Sequence, residues 1–387
     1  LIRVCEEAQP EAAGMTPFRM RATGSTKTSL GDAWFSSLNC SYVRHLFDLA
    51  LQGRFRFLDG VVLMNSCDHV RRMYDNWRAA LDYPAFIHFL AVPHNRNRLA
   101  LEWYLQELAL FRQALQERFS VTISDDALRE AIALSNRISR SLARLYELRR
   151  VDPPAITGAE TLGVIMAGTA LPRAAFAGML DELLHELEGR QACPAGLPRI
   201  GLLSGCLEEI GHLELIEKLG CVVVDDSLCF GRRYFDTLVD EDAPEPMRAL
   251  GERYLLHLSC PRISDDWGNR MAHLERSVVE SRLDGVVVEK LKFCALWCGE
   301  AFLVRDRSRK SGLATLVLER EGFSVTGLGF DTLIASYLLE PEGAHGLDHL
   351  SRLHLGVEKI PTRALLGGGR RTMAELPIGV VGAYCGE

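Results

Sequence analysis

Eleven cysteines are scattered through 387 residues, and three of them stand where a thiol could do more than fill a core. Cys294 lies in LDGVVVEKLKFCALWCGE (283–300), just after the apolar run Gly285-Val286-Val287-Val288. Successive β-branched apolar residues suit a strand covered on both faces, as in a parallel sheet. The carboxyl edge of such a sheet is where ligands sit, which makes a thiol there a candidate ligand. Cys67 follows the strand-like FLDGVVLM (57–64) in the turn Asn65-Ser66-Cys67-Asp68, and Cys40 precedes the helix-spaced VRHLFDLALQG (43–53). A helix N-terminus carries partial positive charge that favours the thiolate, the form that binds metal. Thiolates from separate βα loops can converge at a sheet edge, which is how an iron–sulfur cluster could be held with one iron left open. The competing reading is that cysteine is a small hydrophobe and is mostly buried. Loop placement beside polar neighbours brings the two readings level for Cys40, Cys67 and Cys294.

Other residues could do chemistry too. Cys206, Cys229 and Cys298 also fall in turns (SGCLEE, DSLCFG, LWCGE), so spacing alone does not choose the ligands, whereas Cys5, Cys193, Cys221, Cys260 and Cys385 read as packing or loop residues. Cys294 and Cys298 have no second such pair, which argues against a closed structural zinc site. Glu300 could be a site carboxylate or an ordinary acid near a helix start. His45, His69, His88 and His94 could serve in proton transfer, although a solvated or hydrogen-bonded histidine is the commoner case. Gly201-Leu-Leu-Ser-Gly205 lacks both the full dinucleotide glycine pattern and the P-loop lysine, and Gly24-Ser25-Thr26-Lys27-Thr28 reads as a surface loop.

The elements that must position these residues follow from hydrophobic periodicity. Strands are predicted at 57–64, 85–92, 199–204, 221–226, 285–289 and 314–319, with helices after Cys40 and Cys67 and at 207–219 and 271–282. Between them lie two long amphipathic helices, one striped by Leu101, Leu105, Leu108, Phe111 and Leu115, the other by Leu128, Ile132, Leu142 and Leu145 after Asp125-Asp126. Asp152-Pro153-Pro154 ends this segment; 157–188 is again mostly helical, and Cys193-Pro194-Ala195-Gly196-Leu197-Pro198 marks a boundary. The fold class expected is α/β: two doubly wound parallel-sheet lobes, 1–95 and 193–322, with a helical segment, 96–192, between them.

Composition bounds the function. With 48% hydrophobic and 25% charged residues the chain is an ordinary globular protein, and its net charge of −7 argues against a general nucleic-acid or anionic-membrane binder. No apolar run approaches the roughly 20 residues that span a bilayer, and LIRVCEEAQP has no signal-peptide layout; a cytoplasmic protein is expected. An odd, unevenly spaced cysteine set does not form a secreted disulfide framework. The start at Leu1 and the stop at Glu387 lead us to expect a fragment of a longer reading frame.

Five segments, NCSYVRHLFDLALQGRFRFLDG, SCDHVRR, VDPPAITGAE, DDSLCFGRRY and LDGVVVEKLKFCALWCGEAF, together resemble the 2-hydroxyacyl-CoA dehydratase/benzoyl-CoA reductase family, over residues 10 to 320. The resemblance implies a [4Fe-4S] cluster held by three cysteines, which fall on Cys40, Cys67 and Cys294, with one iron left for water, substrate or another ligand. It also implies an acyl-CoA substrate, aromatic or 2-hydroxyacyl, a sister cluster subunit, and an ATP-hydrolysing activator that supplies a low-potential electron. Ala295 departs from the family pattern, where Asp is expected.

The final stretch differs. GLGFDTLIASYLLEPEGAHGLDHLSRLHLGVEKIP and LLGGGRRTMAELPIGVVGAYCGE resemble the later part of the 3′–5′ exonuclease domain of family A DNA polymerases, so 323–387 is expected to be a fragment of that α/β domain. Tyr384 matches the tyrosine of its last motif, but the chain stops at Glu387 where the metal-binding Asp would follow, and the early carboxylates are absent. No nuclease activity is expected, and a fused reading frame or assembly artefact is the expected origin. Two rivals stand beside the cluster-enzyme reading: a non-catalytic partner subunit with structural cysteines, and a polymerase-related nucleic-acid enzyme.

Overall fold

Every strand pairing among the described residues is parallel, as continuous β-branched runs demand when both faces are covered. The computed structural model describes residues 7–257, 259–320, 347–356 and 366. The chain divides into two compact units, Leu1–Thr326 and Gly327–Glu387. In the second, the described residues include a helical turn at Leu347–Leu350, continued by Ser351–Leu355; most of the polymerase-like stretch, with Tyr384, lies outside the described residues.

The first unit opens with α1 (Ala8–Ala12), α2 (Ser41–Leu51), β1 (Gly60–Met64), α3 (Asp68–Ala80) and β2 (Phe86–Leu90). β1 and β2 run side by side from Gly60 opposite Phe86 to Met64 opposite Leu90. The strand expected from Phe57 begins three residues later, because Phe57 sits in an exposed turn. Helices follow: α4 (Arg98–Phe119), α5 (Asp125–Arg150), α6 (Gly158–Gly168) and α7 (Arg173–Glu186). The starts of α4, α5 and α6 are capped as helix termini require. Asn97 accepts from the Ala100 amide, Ser124 from that of Ala127, and Thr157 with Glu160 completes a capping box. In α5 the acids stand in the first turn and Arg149-Arg150 in the last, complementing the helix dipole.

The chain then alternates through β3 (Arg199–Leu203), α8 (Ile210–Lys218), β4 (Val222–Ser227), α9 (Arg232–Phe235), α10 (Pro246–Glu252), α11 (Trp267–Glu280), β5 (Gly285–Leu291), α12 (Ala295–Ser311) and β6 (Ala314–Arg320). The sheet order is β4-β3-β5-β6. The chain leaves β3 on one side to form β4, then crosses back to place β5 on the other. A doubly wound sheet opens a ligand crevice at such a switch point, here between the carboxyl ends of β3 and β5. The sheet is tied to the helical segment by a buried ion pair, Arg149 to Asp226 at 2.6 Å, to which Tyr146 donates its hydroxyl and Arg149 adds a bond to the Val223 carbonyl.

A second core lies under the amino-terminal helices. Phe47, Trp77 and Tyr83 meet edge-on, with Phe35 against Phe47 at 5.4 Å between ring centres. Trp77 donates to the Tyr83 carbonyl at 2.8 Å, and the Tyr83 hydroxyl to the carbonyl of Ala50. These contacts lock α2 against α3. Leu291, the last residue of β5, is buried in the same cluster, so packing brings the end of β5 to the starts of α2 and α3.

Candidate functional site

Each of the three singled-out cysteines occupies the residue immediately before a helix: Cys40 before α2, Cys67 before α3 and Cys294 before α12. Neither Cys67 nor Cys294 makes a side-chain capping bond to its own helix, where Ser or Asp would. Fold packing unites them, since Cys40 is buried in the amino-terminal aromatic core and both Cys67 and Cys294 pack against it. The Cys40 and Cys294 thiols hydrogen-bond, and Cys67 lies within electrostatic reach of Cys40. Phe293, a non-glycine residue with φ of 63°, turns the chain so that Cys294 emerges into this corner; such a conformation is unfavourable for a bulky residue and is held by its surroundings.

The thiolate expected at Cys40 from its helix position is opposed in the assembled site. The hydrogen bond that Cys40 makes as a thiol to Cys294 pushes its ionisation well above the ordinary value; burial and the charges of Cys294 and Cys67 push the same way, and the Tyr42 amide only partly offsets them. Three converging sulfurs repel one another as thiolates, and a cationic group at their centre would reverse that balance. Among the described residues no cluster of three or more His, Cys, Asp or Glu could hold a single metal ion.

The histidines divide by surroundings. His69 accepts the Cys40 amide at Nδ1, 2.8 Å away, and so fixes the backbone that presents that thiol. His45 pairs with Ser25 at 2.9 Å, and His94 contacts the Asn65 carbonyl at 2.8 Å. His88 lies against Phe86 and Phe111, with its Nε2 buried and unpartnered. Glu300 is buried and bonded to Arg270 Nε at 2.8 Å, while Arg270 also reaches the Ile263 carbonyl at 2.7 Å. Cys221 donates to the Ile216 carbonyl, Cys229 receives Arg233 at 3.4 Å, Cys260 is buried and Cys298 exposed. Cys193 is half-buried, and Cys5 and Cys385 lie outside the described residues. Gly201 and Gly205 are demanded by packing: a Cβ would come within 2.6 Å of Leu283 at the first and 3.0 Å of the Trp297 ring at the second. They allow the close approach of these neighbours.

One residue in the crevice escaped the sequence reading. Glu208, five residues beyond β3, accepts the Ala22 amide at 2.8 Å through Oε1. Its carboxyl is pushed up to about 7, chiefly by burial. SGCLEE offers two adjacent glutamates, and nothing local says which one turns inward.

The chain is 28% identical over 305 residues to a benzoyl-CoA reductase subunit of Thauera aromatica, covering 76% of this chain and 78% of that protein. It is 23% identical over 290 residues to the beta subunit of (R)-2-hydroxyglutaryl-CoA dehydratase of Acidaminococcus fermentans, covering 73% and 76%. A separate 71-residue match, 38% identical, is to DNA polymerase I of Synechocystis sp., covering 18% of this chain and 7% of the polymerase. No helix among the described residues is long and apolar enough to cross a membrane. Residues 10–332 match the model of the 2-hydroxyglutaryl-CoA dehydratase D-component, and the chain belongs to that family of dehydratase and reductase subunits.

Proposed function

We propose that this chain is the [4Fe-4S]-bearing subunit of an enzyme that reduces or dehydrates an acyl-CoA thioester, with Cys40, Cys67 and Cys294 as the cluster ligands. The observation that carries the reading is the meeting of three helix-start thiols from distant parts of the chain, two of them hydrogen-bonded. The donor chemistry fits: soft sulfur ligands suit iron–sulfur clusters, and a cluster spreads its thiolates over different irons instead of gathering them around one ion. When bound, the cluster would supply low-potential one-electron chemistry.

This chain's own residues would do the rest. The Tyr42 amide donates to Cys40 and His69 holds the Cys40 backbone, orienting the ligand as outer-shell partners do. The α2, α3 and α12 N-termini add partial positive charge, which eases the negative charge of a thiolate-ligated cluster. The relatives named above are subunits, which supports a sister subunit; an ATP-hydrolysing activator as electron source and a cytoplasmic location complete the proposal. The substrate class, aromatic or 2-hydroxyacyl thioester, follows the reactions in those names. Anaerobic reconstitution with iron and sulfide should give about four irons per chain and a broad visible absorption. A chain that stays colourless while folded and still binds a sister subunit would instead support the non-catalytic partner.

A further inference from the structure

A small polar cavity opens beside the thiols at the switch point of the sheet. Ser41 and Tyr42, next to Cys40, line one side; Cys206 and Glu208, from the loop after β3, line another; Leu291 at the end of β5 closes it. Its volume is about 20 Å³, room for one water-sized group. Two side chains in its wall are more than nine-tenths buried and leave polar atoms unpartnered, Glu208 Oε2 and Ser41 Oγ. Buried polar atoms without partners are costly, and two in one cavity mark a place built for a guest that hydrogen-bonds to both.

The character of the guest follows from the wall. Oε1 of Glu208 is taken by the Ala22 amide, so Oε2 carries the proton when the carboxyl is neutral and then donates. At physiological pH the acid form is well populated. Arg320 and Glu209 also line the cavity but pair with each other at 2.6 Å, so the protonated carboxyl and the hydroxyl are the groups left to bind, and together they favour an uncharged oxygen over a carboxylate or phosphate. We propose that this cavity is an oxygen subsite for the acyl group, in which Glu208 Oε2 and Ser41 Oγ hydrogen-bond the thioester carbonyl or the 2-hydroxyl and so orient the acyl end beside the thiols. The inference rests on the acyl-CoA reading above and adds to it the residues that grip the acyl oxygen.

The test is equilibrium binding of benzoyl-CoA, 2-hydroxyglutaryl-CoA and free coenzyme A to the anaerobically purified full-length protein with its sister subunit. Glu208→Ala should weaken the acyl thioesters about tenfold, as loss of a buried hydrogen bond does, while Glu208→Gln, which still donates, stays within about threefold, and free coenzyme A binds all variants alike. Weakening of both thioesters assigns the carbonyl to the subsite, and weakening of the 2-hydroxy compound alone assigns the hydroxyl. Equal binding by parent and Glu208→Ala overturns the subsite and leaves a water site only. If the parent binds neither thioester, the acyl-CoA reading falls and the subsite with it. Should Glu208→Ala fail to fold, Ser41→Ala and the infrared carbonyl stretch of a 13C-labelled thioester decide. A downshifted band or weakened binding supports the subsite; an unshifted band with unchanged affinity for both thioesters overturns it.

Discussion

At Cys40 the sulfur is pulled two ways: the start of α2 favours its thiolate, while its own S–H bond to Cys294 and burial favour the thiol. A bound cluster would resolve the conflict, so Cys40→Ala, Cys67→Ala and Cys294→Ala should each lower bound iron from about four per chain to below about one. Cys221→Ala, at a buried sulfur bonded to the Ile216 carbonyl, should leave the iron analysis unchanged. The helix-start positions of Cys40, Cys67 and Cys294 were legible because each follows a recognisable local pattern, a strand end or a helix start. Glu208 was not, because its partner, the Ala22 amide, is far away in sequence and its burial arises only in the folded chain. His88 shows the same limit. Its candidacy for proton transfer rested on residue type, whereas the fold sets it among aromatic rings. Burial lowers its ionisation below the ordinary 6.5, so the folded state binds fewer protons than the unfolded chain. The stability this contributes is fully present above about 6.5 and is lost as pH falls toward the folded-state value. His88→Phe should therefore raise stability by about 1 kcal/mol, since an unpartnered buried nitrogen is removed, and flatten the urea midpoint between about pH 5 and 7.

Among the elements, α2 and α3 matter most, because their starts carry two of the thiols and the Phe47–Trp77–Tyr83 core sets their spacing. Trp77→Ala should cost about 3–5 kcal/mol, the usual range for truncating a buried large aromatic. It should also reduce iron retention without touching a sulfur; unfolding midpoints and iron analysis check both. Long helices and apolar strands were readable from periodicity, as α4, α5, β3 and β5 illustrate. Helices α9 and α10 were not, because 4 and 7 residues are too few to display a helical repeat. The glycines of Gly201-Leu-Leu-Ser-Gly205 were readable only as a negative: the sequence lacked a phosphate motif, and the reason for the glycines, Leu283 and Trp297 pressing on them, belongs to the packed sheet.

At the scale of the whole molecule, the order β4-β3-β5-β6 is what turns separate loops into one crevice, and hydrophobic patterns do not encode strand order. The pattern of a parallel sheet was visible; which strands are neighbours was not. The family likeness expected to end near residue 320 matches the family model to residue 332, and the separate polymerase match and the two compact units lead to the prediction that the second unit is dispensable to the proposed chemistry. A chain ending at Thr326 should keep its iron and its unfolding midpoint within error, and the full chain should bind duplex DNA negligibly at low salt, where phosphate contacts would be strongest. The most direct test of the three-thiolate cluster is low-temperature electron paramagnetic resonance, with iron and sulfide analysis, on the anaerobically purified and dithionite-reduced chain. The expected result is about four irons, about four sulfides and a cluster signal that disappear together in the Cys40→Ala/Cys67→Ala/Cys294→Ala triple variant. A triple variant with the parent's iron content and signal would contradict it.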